Sequence, residues 1–218
     1  MKNKRILVAC EESQTVTKEF RKLGFEAYSC DIQECSGGHP EWHLQMDVFE
    51  AIDLRNWDLI IMHPPCTKIC CSGNRTYAKY KPKHAERLES AEWTYKLWGY
   101  AKSKCKYVCM ENPKGVLNGI YIDLPKPQYV QPYYFGDEEI KLTGLWLENL
   151  PYLKHTNIVE PKYIEYNSKK TKSGKSKYGV LVGTNPSTNN LDNAKLRSKT
   201  FTGIAKAMAD QWGKVLTQ

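Results

Sequence analysis

Short apolar runs recur through the first half of the chain, each closed by polar or helix-breaking residues. Ile6-Leu7-Val8-Ala9 stops at Cys10-Glu11-Glu12, and Leu59-Ile60-Ile61-Met62 stops at His63-Pro64-Pro65. Runs this short, unbroken and bounded read as strands buried on both faces. Between them, Thr15 to Leu23 has helical texture with Gly24 as its stop, and Phe25 to Cys30 alternates as a second strand closing on Asp31. A loop over Ser36 to Pro40, a short strand leading to Asp47 and a short helix over Val48 to Leu54 follow. Ala85 to Lys102 is the longest predicted helix, and Lys106 to Met110 the next strand, running into Glu111-Asn112-Pro113. Alternating strands and helices predict right-handed βαβ units in an α/β fold with a doubly wound, mostly parallel sheet.

Beyond residue 114 the pattern loosens. Pro125, Pro127, Pro132, Pro151 and Pro161 punctuate short aromatic segments, and Tyr178 to Val182 reads as one more strand. Gly203 to Leu216 predicts a closing helix with Ile204, Met208, Trp212 and Val215 on one face. The expectation is a single domain over 1–218 with a small, irregular C-terminal elaboration. Residues 118–200 form its reduced, substrate-facing part.

A chain of 218 residues with 41% hydrophobic content suffices for one such domain. No apolar run approaches the roughly 18 residues that span a bilayer, and the first run is too short for a signal core, which predicts a cytoplasmic protein without a membrane partner. The net charge of +8 favours an acidic partner such as nucleic acid. Lys162, Lys169, Lys170, Lys172, Lys175 and Lys177 stand against the single acid Glu165, so 161–177 reads as a basic loop suited to phosphate. Eight cysteines in a cytosolic chain argue against disulfides. Zinc is the sharper alternative for Cys66, Cys70, Cys71, Cys105 and Cys109. However, strand-like alternation from Lys104 to Met110 sets Cys105 and Cys109 about 13 Å apart on one face, too far for one tetrahedral ion. No metal is expected.

The candidate chemistry falls at strand ends. Two prolines after Met62 remove backbone donors and stiffen a corner whose apex is Cys66, a potential thiolate nucleophile. Glu11, Glu12, Asp31, Asp47 and Glu111 also close predicted strands, and in a doubly wound sheet such positions converge on one crevice. Asp31 sits where nucleoside-binding folds place a carboxylate for ribose hydroxyls. The first turn, Cys10 to Thr15, contains no glycine, which disfavours a pyrophosphate cofactor and leaves room for one without phosphate.

Pro64-Pro65-Cys66 followed by Ser72-Gly73-Asn74-Arg75 resembles the nucleophile loop of the cytosine-C5 DNA methyltransferases, and Glu111-Asn112-Pro113 is similar to their Glu-Asn-Val motif. Order and spacing agree from residue 6 to about 117. More closely, the chain resembles small methyltransferase-like proteins of phages and prophages. Their signatures recur as Cys10-Glu11 with Ser13, His63 to Thr67, Gln131-Pro132, Phe135-Gly136, Lys141 with Thr143, Arg197-Ser198, Gly203-Ile204-Ala205 and Gln211-Trp212-Gly213. The family's Phe-x-Gly-x-Gly turn is missing, Thr67 replaces Gln, and Pro113 replaces Val. The resemblance implies the Rossmann-like fold of class I S-adenosylmethionine-dependent methyltransferases, with methyl transfer to C5 of cytosine in DNA. It makes Cys66 the nucleophile toward C6 and Glu111 the group that holds or protonates N3. It carries cofactor contacts onto Cys10, Glu11, Ser13, Asp31, Asp47, Val48 and Pro64. Substrate contacts fall on Pro65, Ser72, Arg75, Asn112 and Arg197, with Lys170 and Lys172 from the basic loop. Modification of a free pyrimidine nucleotide, or an inactive DNA-binding relative, are the alternatives. Amino-methylation needs an acid or Asn before Pro-Pro, where His63 stands.

Overall fold

A computed structural model describes residues 4–162, 164–165, 178–179 and 200–218. Seven strands form one sheet: β1 (Arg5–Ala9), β2 (Glu26–Asp31), β3 (His43–Gln45), β4 (Leu59–Met62), β5 (Val108–Pro113), β6 (Gln128–Val130) and β7 (Thr143–Glu148). Their order is β3-β2-β1-β4-β5-β7-β6, parallel from β3 to β5 and antiparallel where β7 meets β5 and β6. The chain moves outward from β1 to β3, then returns to the other side of β1 with β4. This reversal opens a crevice at the carboxyl ends of β1 and β4. The doubly wound, mostly parallel α/β expectation holds.

Side-chain alternation along the strands explains the two cores. Ile6, Val8, Leu59, Ile61 and Cys109 face a layer containing Val16 and Phe20 of α1 (Thr15–Lys22) and Met208 and Trp212 of the C-terminal helix. Leu7, Ala9, Ile60, Met62, Val108 and Met110 face the other way, onto Ala51 and Ile52 of α2 (Val48–Asp53) and Leu97 and Trp98 of α4 (His84–Lys104). Removing both faces from water is worth about 1.5–3 kcal/mol per large apolar side chain, which is why these strands read as continuous apolar runs.

Helix ends follow local chemistry. Gly24, at φ 83°, closes α1, its N–H donating to Arg21 O at 2.9 Å. The Asp47 carboxylate caps α2 by accepting from Phe49 N at 2.8 Å. α3 (Asn74–Tyr77) and α5 (Leu117–Ile120) are single turns, and α6 (Thr202–Thr217) closes the chain. Two short strands, β8 (Ile164–Glu165) and β9 (Tyr178–Gly179), pair antiparallel outside the main sheet. The rest of the basic loop, and of the strand expected over Tyr178 to Val182, lies outside the described residues.

Two sequence expectations shift. β5 begins at Val108 and extends to Pro113, because α4 runs on to Lys104 and Cys105 is its cap residue. Cys105 and Cys109 therefore lie in opposite core layers rather than on one strand face. The region after 114 also contributes β6 and β7 to the main sheet; β6 has three residues, too few to display a period, and β7 is buried over its first four residues, so it shows no alternation.

Several motifs that carried the family resemblance serve as joints between segments. Gly203 N–H donates to Asp137 Oδ2 at 2.8 Å, and a Cβ at Gly203 would meet the Phe135 carbonyl oxygen at 2.1 Å. Gln211 exchanges two 2.8 Å bonds with the Lys154 backbone, and Trp212 Nε1 donates to Pro151 O at 3.0 Å. These contacts hold α6 so that the two residues ahead of it, Thr200 and Phe201, stand beside His63 and Lys141. No helix among the described residues is long and apolar enough to cross a membrane.

Candidate active site

The nucleophile corner is built by β4 and locked by its neighbours. All four residues of β4 are buried, and the next amide, His63 N–H, donates to Ala9 O of β1 at 2.9 Å. Prolines then break the ladder. Asn112 of β5, almost fully buried, donates from Nδ2 to Pro64 O at 2.8 Å. After Cys66 the chain turns sharply, its carbonyl accepting from Ile69 N at 3.1 Å and Cys70 N at 2.9 Å. Cys70 bridges to Gly115, and Cys71 N–H donates to Lys114 O at 2.9 Å. A Cβ at Gly115 would lie 2.2 Å from Ile69 O, so only glycine lets the two segments approach.

Arg87 of α4 clamps the same loop from below. It is 3% exposed, with Nε on Lys68 O at 2.6 Å, Nη1 on Asn74 Oδ1 at 2.8 Å and Nη2 on Cys70 O at 3.3 Å. Among the described residues no carboxylate pairs with it. A rigid guanidinium fork spreads its donors over three acceptors of one loop, which an ammonium cannot do.

Glu111 enters from β5. The β4–β5 register pairs Met62 with Met110, so the next residues, His63 and Glu111, are neighbours. His63 Nδ1 lies 3.1 Å from Glu111 Oε2, with both side chains less than a tenth exposed. The carboxylate accepts from the Nδ1–H, and Nε2 of the same ring is buried without a partner among the described residues. Thr200 Oγ1 sits 3.3 Å from the same Nδ1. β7 closes the other side of β5, with Leu145 opposite Glu111. Burial pushes the Glu111 carboxyl up, but the His63 hydrogen bond and the Lys141 charge outweigh it, and the carboxyl titrates below its ordinary value.

Cys66 shares this environment. Its thiol is raised by its hydrogen bond with Cys70, by burial and by the charges of Cys70 and Glu111, with Lys141 acting against them. The Cys70 sulfur is pulled down to about 5 by the Cys66 hydrogen bond, against the cost of burial and with help from Ser72. Lys141 also stands over the Phe201 ring at 5.8 Å. Cys66, Cys70, Glu111, His63 and Lys141 thus form one electrostatic cluster.

The other half of the crevice holds the expected cofactor residues. Cys10 and Gln14 adopt left-handed backbone, φ 58° and 57°, so the first turn takes a glycine-like path without glycine. Each such residue costs on the order of 1–3 kcal/mol, and strain of this kind clusters at functional sites. The loop after β2 packs over this turn. Gln14 Nε2 donates to His39 O at 2.8 Å, its Oε1 accepts from His39 N at 3.1 Å, and a Cβ at Gly37 would meet Gln14 at 2.5 Å. Burial and the charges of Asp31 and Asp47 raise the Cys10 thiol, which puts those two carboxylates beside it. Val48 is buried and Asp47 exposed at the head of α2. Glu11 is otherwise engaged: its Oε1 accepts from Val16 N at 2.6 Å and its Oε2 from the Thr17 hydroxyl at 2.8 Å, capping α1. Ser13 Oγ lies 3.1 Å from Thr15 Oγ1 in the same turn.

An acidic set around a glycine-free turn is chemically compatible with a cationic, hydroxyl-bearing cofactor. Pro64 is buried and Pro65 exposed beside the corner; Ser72 and Arg75 are exposed, Arg75 on α3. Lys170, Lys172 and Arg197 lie outside the described residues. Cys70 entered the sequence reading only as a zinc candidate that was set aside, and His63 as part of the His63 to Thr67 signature; Arg87 and Thr200 carried no role there. No cluster of His, Cys, Asp or Glu arranged to hold a metal occurs among the described residues.

No protein-family model and no curated protein matches the chain. Among solved structures, it is similar to the Entamoeba histolytica methyltransferase EhMeth at 15% identity and TM-score 0.49, over 78% of this chain and 62% of that one. It is also similar to a mutant of Spodoptera frugiperda DNMT2 (17%, TM-score 0.42, 77% and 61%) and to the S. pombe Dnmt2 methyltransferase (12%, TM-score 0.45, 69% and 51%). The chain spans about half to three fifths of the length of these structures. At such identities the likeness concerns fold class alone.

Proposed function

We propose that the protein is an S-adenosylmethionine-dependent methyltransferase acting on C5 of cytosine in DNA through a covalent Cys66 adduct. The observation that carries the reading is the meeting of Cys66 and Glu111 in one electrostatic cluster at adjacent strand ends, with the charges of Asp31 and Asp47 acting together on Cys10 at the end of the neighbouring strand. The motif resemblance supplies the base and the reaction type.

An aromatic carbon is a poor nucleophile until an adduct activates it. As the Cys66 S–H bond breaks, its sulfur adds to C6 and the C5–C6 π pair moves onto C5, which takes the methyl group; loss of the C5 proton to solvent and departure of Cys66 then restore the ring. Glu111, ionised at rest, holds the ring by its exocyclic amine and passes the proton released by Cys66 to N3, so that negative charge does not build up on the ring. His63 Nδ1–H on the far carboxylate oxygen fixes its direction. Asp31, Asp47 and the Cys10 turn would hold S-adenosylmethionine, which would supply the electrophilic methyl group and leave as S-adenosylhomocysteine. A paired base is out of reach in a duplex, so the target is flipped or single-stranded. Arg75 and the lysines of 161–177 suit phosphate contact.

The test is trapping on DNA containing 5-fluorocytosine in the presence of S-adenosylmethionine. A denaturation-resistant adduct that disappears in Cys66→Ala supports the proposal. Its absence from the parent protein, or its persistence in Cys66→Ala, overturns it. Parallel arms with 5-fluorocytosine RNA and with 5-fluoro-dCMP separate DNA from RNA and from a free nucleotide.

A further inference from the structure

We propose that Tyr80, Lys79 and Lys81, at the tip of the loop that begins at Cys66, bind an unpaired nucleotide of the substrate strand. The tyrosine ring stacks on its base, and the two lysines meet the flanking phosphates. The inference deepens the reading above and rests on the substrate being a nucleic acid. It is independent of the chemistry at Cys66.

Exposure, backbone strain and charge coincide at this tip. Tyr80 is 90% exposed. Its backbone is left-handed at φ 71°, where a bulky side chain is an outlier and a glycine would sit without strain. Strain of this kind gathers at functional segments. From Thr67 to Ala85 the chain carries no acidic residue, against Lys68, Arg75, Lys79, Lys81 and Lys83. Lys68 and Lys83 pair with Glu86 of α4, whereas among the described residues no carboxylate pairs with Arg75, Lys79 or Lys81. Lys79 Nζ stands 5.3 Å from the Tyr80 ring centroid, so cation and ring form one surface. Exposed aromatic faces beside unpaired cations are what single strands bind: every base offers a π-face to the ring, and the cations follow the backbone.

The tip is also tied to the nucleophile corner. Lys81 N–H donates to Ala78 O and His84 N–H to Lys81 O, each at 3.0 Å, giving consecutive turns around Pro82, whose ring fixes φ. His84 Nδ1 lies 3.1 Å from Tyr77 O. At the base of the loop, Arg87 reaches Lys68 O at 2.6 Å and Asn74 Oδ1 at 2.8 Å, and a Cβ at Gly73 would meet Thr67 O at 2.5 Å. A strand held at Tyr80 is thereby held relative to Cys66. Because the loop is already ordered, less conformational entropy is lost on binding.

The experiment measures binding of fluorescein-labelled single strands to the full chain by anisotropy. The strands are mixed-sequence DNA, RNA of the same sequence, and a DNA strand of abasic sites, which keeps the phosphates but has no bases. Parent, Tyr80→Gly, Tyr80→Trp and the double variant Lys79→Ala, Lys81→Ala are compared. Glycine suits φ 71°, so Tyr80→Gly should melt no lower than the parent. It should nevertheless bind the DNA strand at least about fivefold more weakly, with no loss on the abasic strand. Tyr80→Trp should keep the parent affinity. The double lysine variant should reduce the slope of log affinity against log salt by about 1.4, the loss of two phosphate contacts on a single strand. Parent affinity in Tyr80→Gly, or an equal loss on the abasic strand, overturns the stacking. An unchanged salt slope overturns the phosphate contacts. A matching loss on RNA supports the same contact with either sugar. Absence of binding to any strand by the parent overturns this contact and the nucleic-acid substrate together. Tyr80-dependent binding by a parent that forms no 5-fluorocytosine adduct supports the contact and overturns the Cys66 chemistry.

Discussion

The Asn112 side-chain amide donates to the Pro64 carbonyl across 2.8 Å, fastening β5 to the corner that presents Cys66. Both groups are buried, so losing the donor orphans the carbonyl at a cost of about 1–3 kcal/mol. Asn112→Ala should lower stability by that amount in urea unfolding and slow adduct formation on 5-fluorocytosine DNA by tenfold or more. Wild-type trapping rates in a destabilised Asn112→Ala chain would show that the corner holds itself.

Arg87 carries three hydrogen bonds to the loop from Lys68 to Asn74, with no carboxylate paired to it among the described residues. Arg87→Met keeps the apolar stem and removes the fork. The expected loss is about 3 kcal/mol. Arg87→Lys should recover less than half of this, because one ammonium cannot reach acceptors so spread. Equal stabilities for the lysine and parent chains would reduce the clamp to a simple charge effect.

Glu11 and Asp31 were both assigned to the cofactor by resemblance, and the structure separates them. Glu11→Gln should cost about 1–2 kcal/mol, since its amide presents a donor to the Thr17 N–H that the carboxylate now accepts. Asp31→Asn should leave the melting temperature unchanged while calorimetric affinity for S-adenosylmethionine falls at least tenfold. If Asp31→Asn binds like the parent, the acidic crevice is not the cofactor site.

The acid limb of stability should report Glu111. Its carboxyl titrates below the ordinary 4.5 in the folded chain. A depressed folded pKa means that the unfolded state binds the proton first. The contribution is therefore complete above the unfolded value and is lost as pH falls through the folded one. Urea unfolding from pH 7 down to about pH 3 should lose stability more steeply for the parent than for Glu111→Gln. Parallel pH dependences would mean that His63 and Lys141 do not hold the carboxylate ionised.

Much of this molecule is written locally. The apolar runs at Ile6 to Ala9 and Leu59 to Met62, the Gly24 stop and the Pro64-Pro65 break each depend on residues a few positions apart, so periodicity and breakers reveal the alternation of strands and helices directly. Placement of Cys66 and Glu111 at strand ends follows from the same runs. Partners chosen across the fold decided the rest. His63 meets Glu111 only because β4 and β5 align Met62 with Met110, a register joining residues 48 positions apart. Glu11 turns inward because α1 begins with amides in need of an acceptor, and Cys10 and Gln14 take left-handed backbone although neither is glycine. Side-chain identity along a chain sets what each segment can become. Which polar atom ends beside which is settled by burial, where every donor and acceptor must find a partner among atoms that the sequence keeps far apart.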